Sequence, residues 1–471
     1  MTMHLRRGVL SPSGATWLVV ALALALAALV PASASAAPAD IGALRDKAER
    51  KVVKAVKKKL PRERMPGLVK PAKRVKIKVK GCSVRGSERD FGGFKCRWSA
   101  KGELPGRVAL RCKGTAKVDA AVRRAKTKRC KNKEEVQAPL LKTPHEVNFG
   151  YFEDFTQIPG LFDDASAGAT GSNTIREGIT WAALQREPGG APETWNWEDF
   201  DSFYNEALAA GLRPIFTFRN APCWAAVQPC GAGKPNPPAP EFYDEYAFAA
   251  AEIARRYPQA LAVEIWFEPN SLNFWGQPAD PAAFSNLVGQ AADAIHAIPG
   301  NTVRVYSGGL APGAAEASKI VYGKFLAAAL DAGGVQRADA IGFHAVTEVP
   351  FKPGADPTKS YLGRLRIQTQ ALRSALAARD LTKPIAFTQL SYSTGAATYP
   401  YTEEQQAEAL TESYELIRRT PDTETVIVSR LLDNGDGSKV QGFGVVRADG
   451  SRKPAYCALA RARGVASPPG C

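Results

Sequence analysis

The chain has few residues suited to holding a metal ion. Among its 471 residues there are four histidines and eight cysteines, and no two cysteines have Cys-x-x-Cys spacing. Zinc sites in proteins use three or four Cys, His or carboxylate ligands, often at such spacings. We therefore expect no metal centre and no other bound cofactor.

Long apolar runs are also scarce, and the clear example lies at the N-terminus. Residues 17–30 are apolar, Arg6 and Arg7 precede them, and Ala34-Ser35-Ala36 has the small residues of a cleavage site. This pattern predicts a signal peptide over residues 1–36, with a retained N-terminal anchor as the alternative. The Ala-, Arg- and Gly-rich composition suggests a high-GC bacterium. We thus expect a secreted or cell-envelope protein of bacterial origin.

All eight cysteines follow the predicted signal peptide, which suits a chain that forms disulfides in an oxidising compartment. Cys223 and Cys230 flank a short loop, and Cys457 lies within reach of the C-terminal Cys471, so we predict two local bridges. The remaining four cysteines are expected to pair among themselves, with three pairings open: Cys82, Cys96, Cys112 and Cys130.

Acidic residues are scarce in the front part of the chain. Residues 37–144 hold 33 Lys and Arg against 10 Asp and Glu, a net charge of +23, whereas residues 145–471 hold 27 against 36, or −9. This division predicts two units with separate roles. The basic unit is either a solubilising surface or binds an anionic envelope surface, such as wall polymer or lipid headgroups, through residues 37–133. Nucleic acid is not expected as a partner of an exported protein.

The basic unit is predicted to contain one helix and a small sheet. Residues 40–60 place apolar residues at helical spacing between lysines, which predicts a basic amphipathic helix and then a linker over 37–73. Residues 74–86, 94–103 and 107–119 alternate apolar and basic residues, which predicts three strands in a β-rich unit over 74–133. Such a unit buries little core, so disulfides should stabilise it.

From residue 145 onward, strand patterns alternate with Ala-rich helical patterns. Eight strands are predicted to begin near residues 147, 173, 213, 261, 302, 339, 384 and 426. Eight such units predict an α/β fold, a (β/α)8 TIM barrel over residues 145–465, followed by a tail over 466–471. A doubly wound sheet is the alternative, but no Gly-rich phosphate loop follows the first strand.

One predicted strand ends in a carboxylate. Segment 263–270 reads Val-Glu-Ile-Trp-Phe-Glu-Pro-Asn, in which an apolar stretch leads to Glu268 and a proline ends the strand. TIM-barrel enzymes carry catalytic groups at the C-terminal ends of their strands. The segment resembles the Trp-Asn-Glu-Pro motif of the clan A retaining glycosidases, families five and thirty-nine among them. The resemblance implies that Glu268 is the general acid/base.

The resemblance covers the whole of residues 145–465. Segment 383–394 is similar to the clan's strand seven, but Gln389 stands where the nucleophilic glutamate is expected. Phe267 likewise replaces the clan's asparagine, and Val346 its strand-six tyrosine. We expect Glu268 and Gln389 to face each other across the barrel mouth. The remaining candidates for substrate binding, for some of which core packing is the alternative, are Arg176, Trp224, Trp266, Phe267, Trp275, His344, Tyr392 and Asp433.

Two classes of function remain open. Retaining hydrolysis needs two carboxyl groups ~5 Å apart, one acting as acid and one as nucleophile. With Gln389 as a degraded nucleophile position, the chain is either a hydrolase of altered mechanism or a non-catalytic glycan-binding protein of the cell envelope. In the first case a 2-acetamido sugar supplies its own nucleophile, or another carboxylate such as Glu348 or Asp433 takes the vacant role.

Overall fold

The computed structural model describes residues 40–59, 73–87, 90–104, 108–127, 140–153, 160–227, 237–275, 278–312, 321–346, 361–395, 400–433 and 442–471. They form a four-stranded antiparallel sheet and an eight-stranded parallel sheet. The predicted signal peptide and most of the predicted linker lie outside these ranges. No helix within them is long and apolar enough to cross a membrane.

The first unit consists of one helix packed on a sheet. Its elements are α1 (Ile41–Lys59), β1 (Lys73–Ser87), β2 (Asp90–Leu104), β3 (Val108–Val118) and β4 (Ala125–Thr127), and the strands lie in chain order. The carboxylate of Asp40 accepts a 2.8 Å hydrogen bond from the Ala43 N–H and so caps the helix. On its apolar side, Ala48, Val52 and Val56 are fully buried against the sheet. The helix therefore shares one core with the strands that follow it.

Two disulfides follow the expected local pattern. Cys82 and Cys96 are cross-strand partners in β1 and β2 and are joined by a disulfide within the core of the first unit. Cys457 is bonded to Cys471. The predicted β-rich unit stapled by a disulfide is thus confirmed. Cys223 is also disulfide-bonded, but its expected partner Cys230 lies outside the described residues. Because Cys82 and Cys96 are paired, the expected pairing among the front cysteines leaves Cys112 with Cys130, and Cys130 also lies outside the described residues.

The eight-stranded sheet is the predicted barrel. Its strands in chain order are β5 (Asn148–Phe152), β6 (Thr174–Thr180), β7 (Arg213–Arg219), β8 (Ala262–Phe267), β9 (Arg304–Gly309), β10 (Ile341–Val346), β11 (Ile385–Ser391) and β12 (Thr423–Ser429). All neighbours pair in parallel, and bridges Tyr306 to Ala340 and Leu310 to Phe343 join β9 to β10 and close the ring. Every strand begins within three residues of its predicted start.

Helices of varied length connect the strands. They are α2 (Leu161–Ala165), α3 (Ala167–Thr170), α4 (Trp181–Leu184), α5 (Glu198–Ala209), α6 (Tyr243–Arg256), α7 (Leu272–Trp275), α8 (Pro281–His296), α9 (Tyr322–Ala332), α10 (Tyr361–Ala377), α11 (Glu403–Arg418) and α12 (Pro454–Ala462). Local signals fix several of their starts. Thr402 and Gln405 form a capping box at α11. At α8, Pro281 is the first residue, and the Asp280 carboxylate accepts hydrogen bonds from the N–H groups of Ala282 and Ala283.

The barrel interior has an apolar cluster and a polar layer. The apolar cluster includes Ile215, Ala262 and Ala386, each fully buried. Two residues further along the same strands stand Thr217, Glu264 and Thr388, which are also buried. Because residues two apart in a strand share a face, the polar layer lies one step closer to the C-terminal mouth. It forms the floor beneath the candidate site.

Candidate functional site

Glu268 lies immediately after β8, the fourth strand of the barrel, on an unusual backbone. The φ angles of Trp266 and Glu268 are 75° and 45°, in the left-handed region that residues other than glycine rarely adopt. The Glu268 N–H donates a 3.1 Å hydrogen bond to the carbonyl oxygen of Gly309, at the end of β9. Two such positive φ values flanking one position are costly and concentrate at functional sites, which supports a functional role for this turn.

A buried histidine holds the Glu268 carboxylate. Nδ1 of His344, on β10, lies 3.0 Å from Oε1 of Glu268, and the two side chains are 0% and 13% exposed. Space for the imidazole depends on Gly309, because a Cβ at that position would stand 2.1 Å from Nε2 of His344. His344 is therefore a buried residue that contacts one oxygen of the Glu268 carboxylate, while the carboxylate itself keeps some contact with solvent.

Gln389 is the register partner of His344 on the neighbouring strand β11, the seventh strand of the barrel. Its Nε2 donates a long 3.4 Å hydrogen bond to Oγ of Ser391. Its Oε1 is buried and has no hydrogen-bond partner within the described part of the chain. Glu268 and Gln389 thus both lie towards the C-terminal ends of strands. His344 links the two positions, because its side chain contacts Glu268 and its backbone is paired with that of Gln389.

The floor of the site contains a buried ion pair that the motif comparison missed. Nε and Nη2 of Arg176 lie 2.8 and 2.6 Å from Oε2 of Glu264, and neither side chain is exposed. Thr217 donates 2.8 Å to Oε2, and Thr388 donates 2.6 Å to Oε1. Burial acts to raise the pKa of Glu264, but the charges of Arg176 and His344 and the two hydroxyl groups together hold that pKa below its ordinary value.

Glu264 therefore binds Arg176, which was predicted as a candidate for substrate binding, in an ion pair beneath the site. Part of the signal was present in the sequence: Glu264 is the single charged residue in a strand that is otherwise apolar, and a buried charge needs an opposite partner.

Phe267 fills the place where the clan has asparagine. Two guanidinium groups lie over its ring, with Cζ of Arg176 and of Arg219 at 5.4 and 5.3 Å from the ring centroid. The rings of His344 and Phe274 pack beside it at 4.7 and 4.6 Å. Cations over an aromatic face are stabilising. Phe267 thus contributes packing to this rim of the mouth and no hydrogen-bonding amide.

Most of the aromatic residues predicted as candidates for substrate binding are buried. Trp266 is fully buried and donates Nε1–H to the Phe274 carbonyl at 2.9 Å, and Trp275 is only 2% exposed. Tyr392 is 1% exposed, and its hydroxyl shares a 2.7 Å hydrogen bond with Ser413. Their burial corrects the expectation that they offer a face to substrate and favours the alternative of core packing. Trp224 is partly exposed.

Asp433 also has a structural explanation. Its Oδ2 lies 2.5 Å from Nζ of the buried Lys453, and its Oδ1 accepts a 2.7 Å hydrogen bond from the Gly444 N–H. Both carboxylate oxygens of Asp433 are thus engaged by groups of the segment that follows β12. Asp433 is therefore a poor replacement for the missing nucleophile. The other candidate for that role, Glu348, lies outside the described residues.

A second ion pair near the mouth was not anticipated. Glu153, after β5, is buried, and its Oε1 accepts hydrogen bonds from Nε and Nη2 of Arg430, after β12, at 3.1 and 2.7 Å. This pair joins the first and last barrel strands. Across the described ranges, no cluster of three or more His, Cys, Asp or Glu side chains is arranged to hold a metal ion.

Comparisons with known proteins agree on the fold. No family model matches the chain, and no curated protein matches its sequence significantly. A GH39 enzyme from Xanthomonas axonopodis pv. citri is 18% identical, with 68% of this chain and 67% of that chain covered and a TM-score of 0.51. A glucosidase from Croceicoccus marinus is 13% identical, with 68% and 69% covered and a TM-score of 0.50.

A family 39 glycoside hydrolase from Bacteroides cellulosilyticus WH2 is 18% identical over 83% of this chain and 77% of that chain, with a TM-score of 0.49. The two structures with TM-scores of 0.51 and 0.50, together with the eight parallel strands, show that the chain has the TIM-barrel fold of glycoside hydrolases of clan A, as its motifs predicted. At these identities the likeness concerns the fold, and function must be argued from the site.

Proposed function

We propose that the chain is an exported, glycoside hydrolase-like protein that takes a poly- or oligosaccharide at the barrel mouth, with Glu268 as its general acid/base. The observation that carries this proposal is the carboxylate at the end of the fourth strand, held 3.0 Å from a buried imidazole. A general acid must reach the glycosidic oxygen in a fixed orientation, and a fixed carboxylate with some exposure meets that need. The disulfides support an oxidising destination.

Gln389 rules the ordinary retaining reaction out of this proposal. A neutral amide neither attacks the anomeric carbon nor stabilises the positive charge that develops there. In the altered mechanism, the acetamido oxygen of a 2-acetamido sugar attacks that carbon while Glu268 gives its proton to the leaving oxygen. The buried Oε1 of Gln389, which has no partner among the described atoms, is suited to accept the acetamido N–H and orient it.

The second candidate is a glycan-binding barrel without catalysis. The same substitution at Gln389 favours it, since a cleft that keeps one carboxylate still binds sugar hydroxyl groups but lacks half of the catalytic pair. In either case the basic unit over residues 37–133 adheres to an anionic envelope surface.

The test compares wild type, Gln389→Glu, Gln389→Ala and Glu268→Ala on a panel of chromogenic glycosides that includes 2-acetamido sugars. Turnover by wild type that is lost in both Glu268→Ala and Gln389→Ala supports the altered mechanism. An inactive wild type that gains turnover as Gln389→Glu supports the glycan-binding barrel. Strong wild-type turnover that survives Glu268→Ala would refute the site.

A further inference from the structure

The sheet of the first unit has one face covered by α1 and one face open. The register places seven lysines and one arginine on the open face, and all eight are exposed. We call this set the lysine face: Lys76, Lys78, Lys95, Arg97, Lys101, Lys113, Lys117 and Lys126. The other residues that point outward in this part of the sheet, and whose side chains are described, are small or polar. They are Ser83, Ser99, Thr115 and Gly81.

Cations on this face are direct cross-strand neighbours. Lys76 pairs with Lys101, and Lys95, Lys117 and Lys126 form one row across β2, β3 and β4. Like charges placed directly opposite each other destabilise a sheet. None of the eight forms an ion pair with a described carboxylate. Folding alone gives no reason to concentrate cations in this way, so the arrangement points to an anionic ligand.

The composition of the face narrows the class of ligand. It offers no exposed aromatic side chain, whereas single-stranded nucleic acids are bound by stacking their bases on aromatic rings. It also offers no exposed apolar side chain that would enter a lipid bilayer. What remains is a set of cations in rows, with sites ~4.8 Å apart across neighbouring strands and ~6.7 Å apart along a strand, some of which hold Ser, Thr or Gly instead. These spacings are comparable to the length of one sugar unit.

We propose that the lysine face binds a linear acidic polysaccharide with one carboxylate per sugar unit. The inference rests on the proposed adhesion of the basic unit to an anionic envelope surface. It adds the chemical class of the polymer and the face of the sheet that binds it. Lysine ammonium groups bind carboxylates as point charges without a fixed geometry, so successive sugars contact successive rows. The barrel is thereby held close to polysaccharide.

The test uses the full-length mature protein and polygalacturonate as the probe, with neutral pullulan as the control polymer. One variant combines Lys95→Gln, Lys117→Gln and Lys126→Gln. The matched control removes the same charge from α1, on the far side of the sheet, through Lys54→Gln, Lys57→Gln and Lys58→Gln. All six lysines are exposed, so both variants should fold.

Wild type should bind polygalacturonate and not pullulan, and added salt should weaken the binding. The face variant should bind at least roughly tenfold more weakly, and the α1 variant within about twofold of wild type, because the charges in contact determine the affinity. Equal losses in the two variants would overturn the proposal in favour of unspecific attraction. Tighter binding to phosphatidylglycerol vesicles or oligo(dT) than to polygalacturonate would also overturn it, in favour of lipid or nucleic acid.

A stability measurement separates binding from folding. The face variant should unfold at a higher temperature than wild type in low salt, with the difference fading in high salt, since it removes opposed like charges. Turnover or binding of small glycosides at the barrel should be unchanged in the face variant. If the barrel proves not to bind or cleave glycosides, the result with polygalacturonate still stands. If the lysine face proves not to bind polygalacturonate, the results for the barrel still stand.

Discussion

Nδ1 of His344 lies 3.0 Å from Oε1 of Glu268, and the imidazole has no exposed surface. The orientation of the one carboxylate at the end of the fourth barrel strand thus depends on a side chain that is locked in place by its neighbours. Gly309 is one of these neighbours, because its missing Cβ leaves the space that the imidazole occupies.

Gly309→Ala is expected to displace His344 from Glu268. The added methyl group would meet Nε2 of His344 at 2.1 Å and Oγ1 of Thr388 at 2.8 Å, and overpacking of this kind costs ~1–3 kcal/mol. Gly168→Ala is the control, since nothing lies within 4 Å of its Cβ. In urea unfolding, the free energy of unfolding should fall for Gly309→Ala and not for Gly168→Ala. An equal urea midpoint for both variants would contradict the dependence of His344 on Gly309.

Glu264→Gln should destabilise the protein at neutral pH and matter less in acid. The variant leaves Arg176 buried without its counter-charge, which costs ~3–5 kcal/mol. Because the pKa of Glu264 is lower in the folded state than its ordinary value of 4.5, its contribution is complete above that pH and is lost as the pH falls below it.

Urea midpoints of wild type and Glu264→Gln should therefore converge between neutral pH and pH values below about 4. Asp293→Asn removes an exposed ion pair with Arg337 and serves as the control, with an expected cost under ~1 kcal/mol. A gap between wild type and Glu264→Gln that is constant at every pH would show that the charge of Glu264 does not contribute.

The two described disulfides should differ in importance although both join residues 14 apart. Closing a loop of that length stabilises by about 3 kcal/mol. The double variant Cys82→Ala, Cys96→Ala removes this stabilisation from a small core. The double variant Cys457→Ala, Cys471→Ala releases only the C-terminal segment, whose last residue is exposed. Trypsin should digest the first unit faster in the former variant only. Equal protection of the first unit in both variants would argue against this difference.

Phe267→Asn should raise the turnover gained by Gln389→Glu while lowering stability. The amide supplies a hydrogen-bonding group at this rim, but the change removes a ring that packs against Arg176 and Arg219. Losing a large buried ring commonly costs ~3–5 kcal/mol, and a half-buried ring should cost less. Steady-state kinetics and thermal unfolding of the single and double variants test both parts. No gain in kcat/KM for the double variant would mean that Phe267 does not limit activity.

The sequence was sufficient to predict the barrel and the position of Glu268 at the end of its fourth strand. Strand patterns were bounded by turns and separated by Ala-rich helices, so the largest error in a strand start was three residues, at β12. In contrast, β4 has three residues and is too short to show alternation.

The pairing of Arg176 with Glu264 was not predicted, because the two residues lie 88 positions apart and only the closed barrel brings them together. The left-handed backbone at Trp266 and Glu268 had no glycine to reveal it. Burial of Trp266 in β8 and of Trp275 in α7 likewise depends on how these two elements pack against the rest of the barrel core, which the local sequence does not show.

The register of the first sheet has a consequence for self-association. Among the described residues β1 pairs only with β2, so one edge of a 15-residue strand is open. Open edges are sites where two copies of a chain pair. Alternating lysines along β1 would bring like charges together in such a pair, which keeps copies apart in solution. A polymer that neutralises these lysines removes that repulsion, so copies concentrated on a polyanion should aggregate through β1 sooner than copies free in solution.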